Sequence, residues 1–219
     1  MKRKFCLVLA AIALFTAIAT CAGCSAAKES DALIGTWAGE VNYANYFNQG
    51  LQSIAGEGLA EYWSVENFPI TLILTFREDG TYSMTVDREK LNDTIEDLKK
   101  KLTRGLRNFM QDLIDASEST MTVDEFMASM DISAEEMIQE ALGPEIVEAL
   151  VNECTYEGNY SVEEGKLYTS AALAYAVDES MYETYEVTKS TLTFMSVVGG
   201  DGNSLLNDSL YPFTLIRTN

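Results

Sequence analysis

The chain has 219 residues, 34 of them acidic against 15 basic, and it contains no histidine. That length suits one domain with a sizeable core, or one domain with a large insertion. A net charge of -19 repels nucleic acid and anionic membrane surfaces, and the missing histidine excludes Ser-His-Asp and Cys-His nucleophilic catalysis as well as His-ligated zinc.

The N-terminus opens on "MKRKF", a basic stretch, followed by "CLVLAAIALFTAIAT", an apolar run too short for a comfortable membrane span. Next comes "CAGCSAAKES", where small residues precede a cysteine and polar residues follow it. This resembles a bacterial lipoprotein signal. The resemblance implies a signal peptide over residues 1–23, a lipid on Cys24, a flexible tether over 24–32, and a protein held by its anchor at the extracytoplasmic face of the cell membrane. Cys24 has Ala22 and Gly23 before it and Ser25 after it; Cys21, preceded by Ile18 and Ala19, is the alternative. Removing residues 1–23 takes away Lys2, Arg3 and Lys4 and no acid, which leaves 12 basic and 34 acidic groups. With Cys24 lipidated, Cys154 has no partner, so the mature domain has no internal disulfide.

After the tether, "LIGTWAGEVNY" (residues 33–43) alternates and reads as a first strand, with Leu33, Gly35, Trp37, Gly39, Val41 and Tyr43 on one face. Residues 44–68 lose that alternation, and their apolar positions suggest a short helix or two interrupted by glycines. "PITLILTF" and "TYSMTVD" then flank "REDG", and Asp79-Gly80 between two alternating runs predicts a hairpin.

From residue 88 the period changes. Leu91, Ile95, Leu98, Leu102, Leu106, Phe109 and Leu113 recur at steps of three and four, the stripe of an amphipathic helix. "TVDE" at Thr122 to Glu125 and "SAEE" at Ser133 to Glu136 are capping boxes that start two shorter helices. Gly143-Pro144 breaks the chain and restarts a last one. Strands resume with "TYEGNYSV", "KLYTSAA", "YETYEVT", "TLTFMSV" and "YPFTLIR", with "GGDGNSLLNDS" as a long loop. The total is eight short antiparallel strands, enough to close a barrel. The fold class predicted is mainly β with a helical insertion (α+β): an eight-stranded antiparallel barrel over residues 33–219, with a helical block at 88–151 between strands 3 and 4.

Gly-x-Trp on the first strand, eight strands, and an Arg ending the last strand in "TLIR" resemble the lipocalin superfamily, and among its members the lipocalin-like lipoproteins of bacteria. The matching positions are Gly35, Trp37 and Arg217, over residues 33–87 and 155–217. The resemblance implies that Trp37 packs across a closed barrel end against Arg217. The chain departs from lipocalins in its helical insertion, in lacking a helix after the last strand, and in having no disulfide. Independently of any family, a guanidinium stacked on a buried indole closes a core from water.

No phosphate-binding glycine loop, Gly-x-Ser-x-Gly elbow or Cys-x-x-Cys pair appears, and no metal site or cofactor is indicated. Cys154 reads as a small core residue. Lys99, Lys100, Lys101, Arg104 and Arg107 form a basic island, read as the solvated face of the long helix. Tyr156, Tyr160, Tyr168, Tyr175, Tyr182 and Tyr185 read mostly as barrel wall. The function expected is a lipid-anchored binding module. Its small apolar or amphipathic ligand would sit in the barrel mouth opposite Trp37 and Arg217, roofed by Tyr46, Phe47, Leu51, Leu91 and Ile95. The alternative is a structural or protein-interaction lipoprotein whose helical insertion contacts an envelope protein.

Overall fold

The structure, a computed structural model, describes residues 26–131, 133–199 and 210–218. The cleavage and lipidation readings at Cys21 and Cys24 lie outside the described residues, as does most of the loop at 199–209. The chain divides into two compact units, one within residues 1–41, 70–87 and 151–219 and the other comprising 42–69 and 88–150.

The first unit is the eight-stranded antiparallel barrel expected from the sequence. Its strands are β1 (Gly35–Asn42), β2 (Pro69–Phe76), β3 (Thr81–Val86), β4 (Tyr156–Glu163), β5 (Lys166–Thr169), β6 (Met181–Val187), β7 (Thr191–Gly199) and β8 (Phe213–Thr218). They neighbour one another in sequence order, and β8 closes on β1 with Trp37 opposite Arg217. The period-two pattern is the cause: Leu72, Leu74 and Phe76 of β2 and Tyr82, Met84 and Val86 of β3 are buried while the residues between them are less so. Asp79 fixes the β2–β3 turn, its Oδ1 accepting from the Thr81 N–H at 2.9 Å and the Thr81 hydroxyl at 2.6 Å.

Two expectations need correction. Residues from Ala26 onward are not a tether: α1 (Ala26–Leu33) is a helix leading into β1, and its Glu29 carboxylate accepts from the Gly165 N–H at 3.3 Å. Nor is the stretch from residue 44 a short helix or two interrupted by glycines. A 20-residue helix, α2 (Ala44–Trp63), joins β1 to β2, and Gly50, Gly56 and Gly58 lie within it without breaking it. Then α3 (Arg88–Ala116), α4 (Val123–Ser129), α5 (Ala134–Ala141) and α6 (Pro144–Glu153) follow β3.

In the helical unit the stripe of α3 is buried at Leu91, Ile95, Leu98, Leu102 and Leu106. Gly105 lets the end of α2 approach closely: a Cβ there would stand 2.2 Å from the Tyr62 carbonyl. Trp63 Nε1 donates to the Leu102 carbonyl at 3.1 Å across the same contact. Beyond it the buried face turns. Ile114, not Leu113, joins Leu106, Val123, Met127 and Ala134, because the partners there are α4 and α5. Thr122 and Glu125 cap α4 reciprocally, and the Ser133 hydroxyl accepts from the Glu136 N–H at 3.2 Å to start α5.

Candidate binding site in the barrel interior

One end of the barrel is sealed. Trp37 is fully buried there, its indole N–H donating to the Leu33 carbonyl at 2.7 Å. The Arg217 guanidinium lies 4.0 Å above the Trp37 ring. Its N–H groups reach the carbonyls of Ile34 at 2.6 Å, Ala32 at 2.7 Å and Lys189 at 2.9 Å. Gly35, at φ 128°, is required twice over: the backbone there is left-handed, and a Cβ would stand 2.6 Å from the guanidinium. The structure thus brings Gly35, Trp37 and Arg217 together, and three of the five N–H donors of Arg217 and the indole N–H of Trp37 are engaged in closing the end.

Away from that plug the interior changes character. Because directly opposed residues share a face, the register identifies what points inward. Glu183 on β6 stands opposite Leu167 on β5 and Val197 on β7, both buried. Glu183 therefore faces the barrel interior. Two residues along, past a bulge at Thr184/Tyr185, Tyr185 stands opposite buried Phe194. The Tyr211 hydroxyl donates to Glu183 Oε1 at 3.0 Å. Burial pushes the Glu183 carboxyl up to about 7, and the Tyr211 hydrogen bond pulls the other way. Tyr82 faces the same space from β3; burial first, with a contribution from the Glu183 charge, raises it to about 12. Its hydroxyl donates to the Ser170 carbonyl at 3.2 Å.

Away from the plug the rim is open on one side only: inward-facing Val41, Leu72, Val86 and Val197 are buried there, whereas inward-facing Tyr156, Thr169, Glu183, Phe213 and, deeper, Tyr185 are half-buried. The segment between β5 and β6, at this open rim, is held in place. Asn159 Nδ2 donates to the carbonyls of Leu173 at 3.1 Å and Tyr175 at 2.8 Å, and Asp178 Oδ1 accepts from Ser180 N–H at 2.9 Å. The site is thus a tyrosine-lined, partly accessible interior whose wall holds, among the described residues, the carboxylic acid of Glu183.

Phe47, Leu91 and Ile95 are buried, and Tyr46 and Leu51 half-buried, all on α2 and α3; Phe47 packs on Phe68 with ring centroids 5.2 Å apart. Of the tyrosines, Tyr160 and Tyr185 face inward, Tyr168 and Tyr182 pair on the outer wall at 5.7 Å, and Tyr175 is exposed on a loop. Cys154 is buried, which raises its thiol to about 11 and keeps it inert. In the basic island Lys99 pairs with Glu96 at 2.6 Å, Lys100 with Asp97 at 2.9 Å and Arg107 with Asp124 at 2.7 Å. A groove of about 690 Å³ runs beside it, but Glu135 and Glu136 on α5 face the cations of α3, so its charge is mixed. Among the described residues no group of three or more Cys, Asp or Glu side chains is placed to hold a metal ion, and no helix is long and apolar enough to cross a membrane.

Glu183 and Tyr211 were missed by the sequence reading. The available signal was weak: in "MYETYEV" acids and tyrosines fall on both faces, so the pattern alone does not say which acid points in. No family model, no curated protein and no solved structure matches the chain.

Proposed function

We propose that this protein is a binding module carried on a lipid anchor, with a lipocalin-like barrel that takes a small apolar or amphipathic ligand from its open rim. The observation that supports this most is Glu183. A carboxyl facing inward between Leu167 and Val197 costs free energy that a barrel filled only for stability has no reason to incur. Around it, inward-facing tyrosines retain accessible surface, the combination of apolar body and polar tip suited to an amphipathic guest. The anchor rests on the "CAGCS" stretch and places the module at the extracytoplasmic face.

An environment-sensitive apolar dye titrated against the domain should bind saturably, and mass spectrometry of the natively purified protein should find a co-purifying small molecule. A well-folded domain that binds neither dye nor any of a varied panel of lipids and apolar metabolites would remove the binding reading. Mass spectrometry of the mature N-terminal peptide should find diacylglycerol on Cys24. An unmodified, secreted N-terminus removes the anchor. Because loss of Cys24 can shift processing to Cys21, the double substitution is the release test. A second reading, an envelope protein docked on the helical unit, has one observation in its favour: Leu113, Met121, Met130 and Met137 are exposed there.

A further inference from the structure

We infer that Glu183 and Tyr211 form the recognition end of the barrel site, and that its ligand is a cationic amphipath, a protonated amine on a hydrocarbon body. The inference rests on the binding reading above and names the chemistry that reading leaves open.

The argument is one of complementarity. The Tyr211 hydroxyl donates to Glu183 Oε1, a contact that favours the ionised carboxylate. Oε2 accepts no hydrogen bond from any described residue, so it is free to accept one from a guest. Among the described residues the basic side chain shown pointing into the barrel is Arg217, at the sealed end, bonded to three carbonyls and stacked on the Trp37 ring. A carboxylate guest would therefore meet a like charge with no cation to offset it. An alcohol would leave the ionised Glu183 without a counter-charge. A protonated amine supplies both the missing donor and the missing charge. The half-buried rings of Tyr156 and Tyr185 add π faces on which a cation is also favoured, and a net charge of -19 concentrates cations around the molecule before they enter.

Binding is then linked to pH. Among the described residues the titratable groups facing Glu183 are Tyr211, Tyr82 and, along its own strand, Tyr185; Leu167 and Val197 on the flanking strands do not titrate. Burial raises Tyr82 and Tyr185 to about 12, and an alkyl amine stays protonated well above neutrality. Of these groups, Glu183 is the one that changes through about 7.

The test uses the full mature chain and three probes of equal length, n-decylamine, n-decanol and n-decanoate, titrated below their aggregation limits. At about pH 8 decylamine should bind about tenfold more tightly than decanol, with decanoate weakest, and the preference should vanish at about pH 5.5. Glu183→Gln should abolish the preference at about pH 8, so that decylamine binds no more tightly than decanol. Attraction of the amine to the acidic surface would survive that substitution, since it removes one acid of 34. Tyr211→Phe removes the hydrogen bond that favours ionisation, so it should keep the preference but move its onset to higher pH. Equal binding of amine and alcohol by the wild-type chain, tighter binding of decanoate, or a preference that persists in Glu183→Gln overturns this inference and leaves the binding module standing. Failure of a folded chain to bind any of the three overturns both.

Discussion

Buried acids leave a signature in stability as well as in binding. The folded value of Glu183, about 7, lies above its ordinary 4.5, so the native state holds this proton more tightly than the unfolded chain does. The stability linked to it is complete below about 4.5, falls as pH rises, and is gone above about 7. At about 1.4 kcal/mol per pKa unit the loss is on the order of 3 kcal/mol. Glu183→Gln should flatten that fall and, without ligand, make the protein roughly 2 kcal/mol more stable than wild type at pH 8. Denaturant midpoints measured across the range decide it; parallel curves for the two proteins would mean that Glu183 is solvated. Arg217 offers the opposite case. Three carbonyl contacts and a stacked ring need a planar fork, which lysine lacks, so Arg217→Lys should cost about 1–2 kcal/mol in the same assay. An unchanged midpoint would show that the sealed end does not depend on it.

At the level of elements, two glycines of the helical unit make a controlled pair. Gly105 in α3 meets the Tyr62 backbone, whereas Gly58 in α2 has nothing within 4 Å of where a Cβ would stand. Alanine at either position gains about 1 kcal/mol of helix propensity. At Gly58 that gain should appear as greater stability. At Gly105 it should be outweighed by the clash, for a net loss of about 1–2 kcal/mol. Urea melts of the two variants followed at a helical wavelength should move in opposite directions, and a Gly105→Ala protein as stable as wild type would mean that α2 can retreat. Such contacts also mark where sequence reading stops. Most of the strands were legible because they alternate with one apolar face, and the stripe of α3 because it repeats in steps of three and four. The unbroken run of α2 was not, since Gly50, Gly56 and Gly58 read as interruptions. The inward direction of Glu183 was hidden for a related reason. The bulge beside it leaves Phe194 and Val197 three residues apart and both inward, so β7 does not keep a single phase.

For the whole molecule, the order of elements carries the consequence. Strands β1 to β8 neighbour one another in chain order, so the barrel needs only short connections, and the two helical inserts occupy two of them. The ends of each insert are already close together. In the first, the Tyr43 N–H donates to the Phe68 carbonyl at 2.9 Å, and Asn42 Oδ1 accepts from the N–H groups of Ala44 at 3.0 Å and Phe68 at 2.9 Å. In the second, β3 and β4 are paired neighbours, with Met84 opposite Tyr156 and the hydroxyls of Thr85 and Thr155 at 3.1 Å. Removing one insert alone would strip α2 or α3 of its partner across Gly105, leaving an amphipathic helix that is marginal in water. Both should therefore be replaced at once by short Gly/Ser turns, joining Val41 to Ile70 and Asp87 to Val151. The product keeps all eight strands except the ends of β1 and β2, together with the sealed end and Glu183. It should melt cooperatively with β-type circular dichroism, and should keep the amine preference if the site is built from barrel residues alone. A molten product, while the single-insert deletions fold, would show that the strands need one insert to close. A folded barrel that has lost the preference would place part of the recognition in the helices.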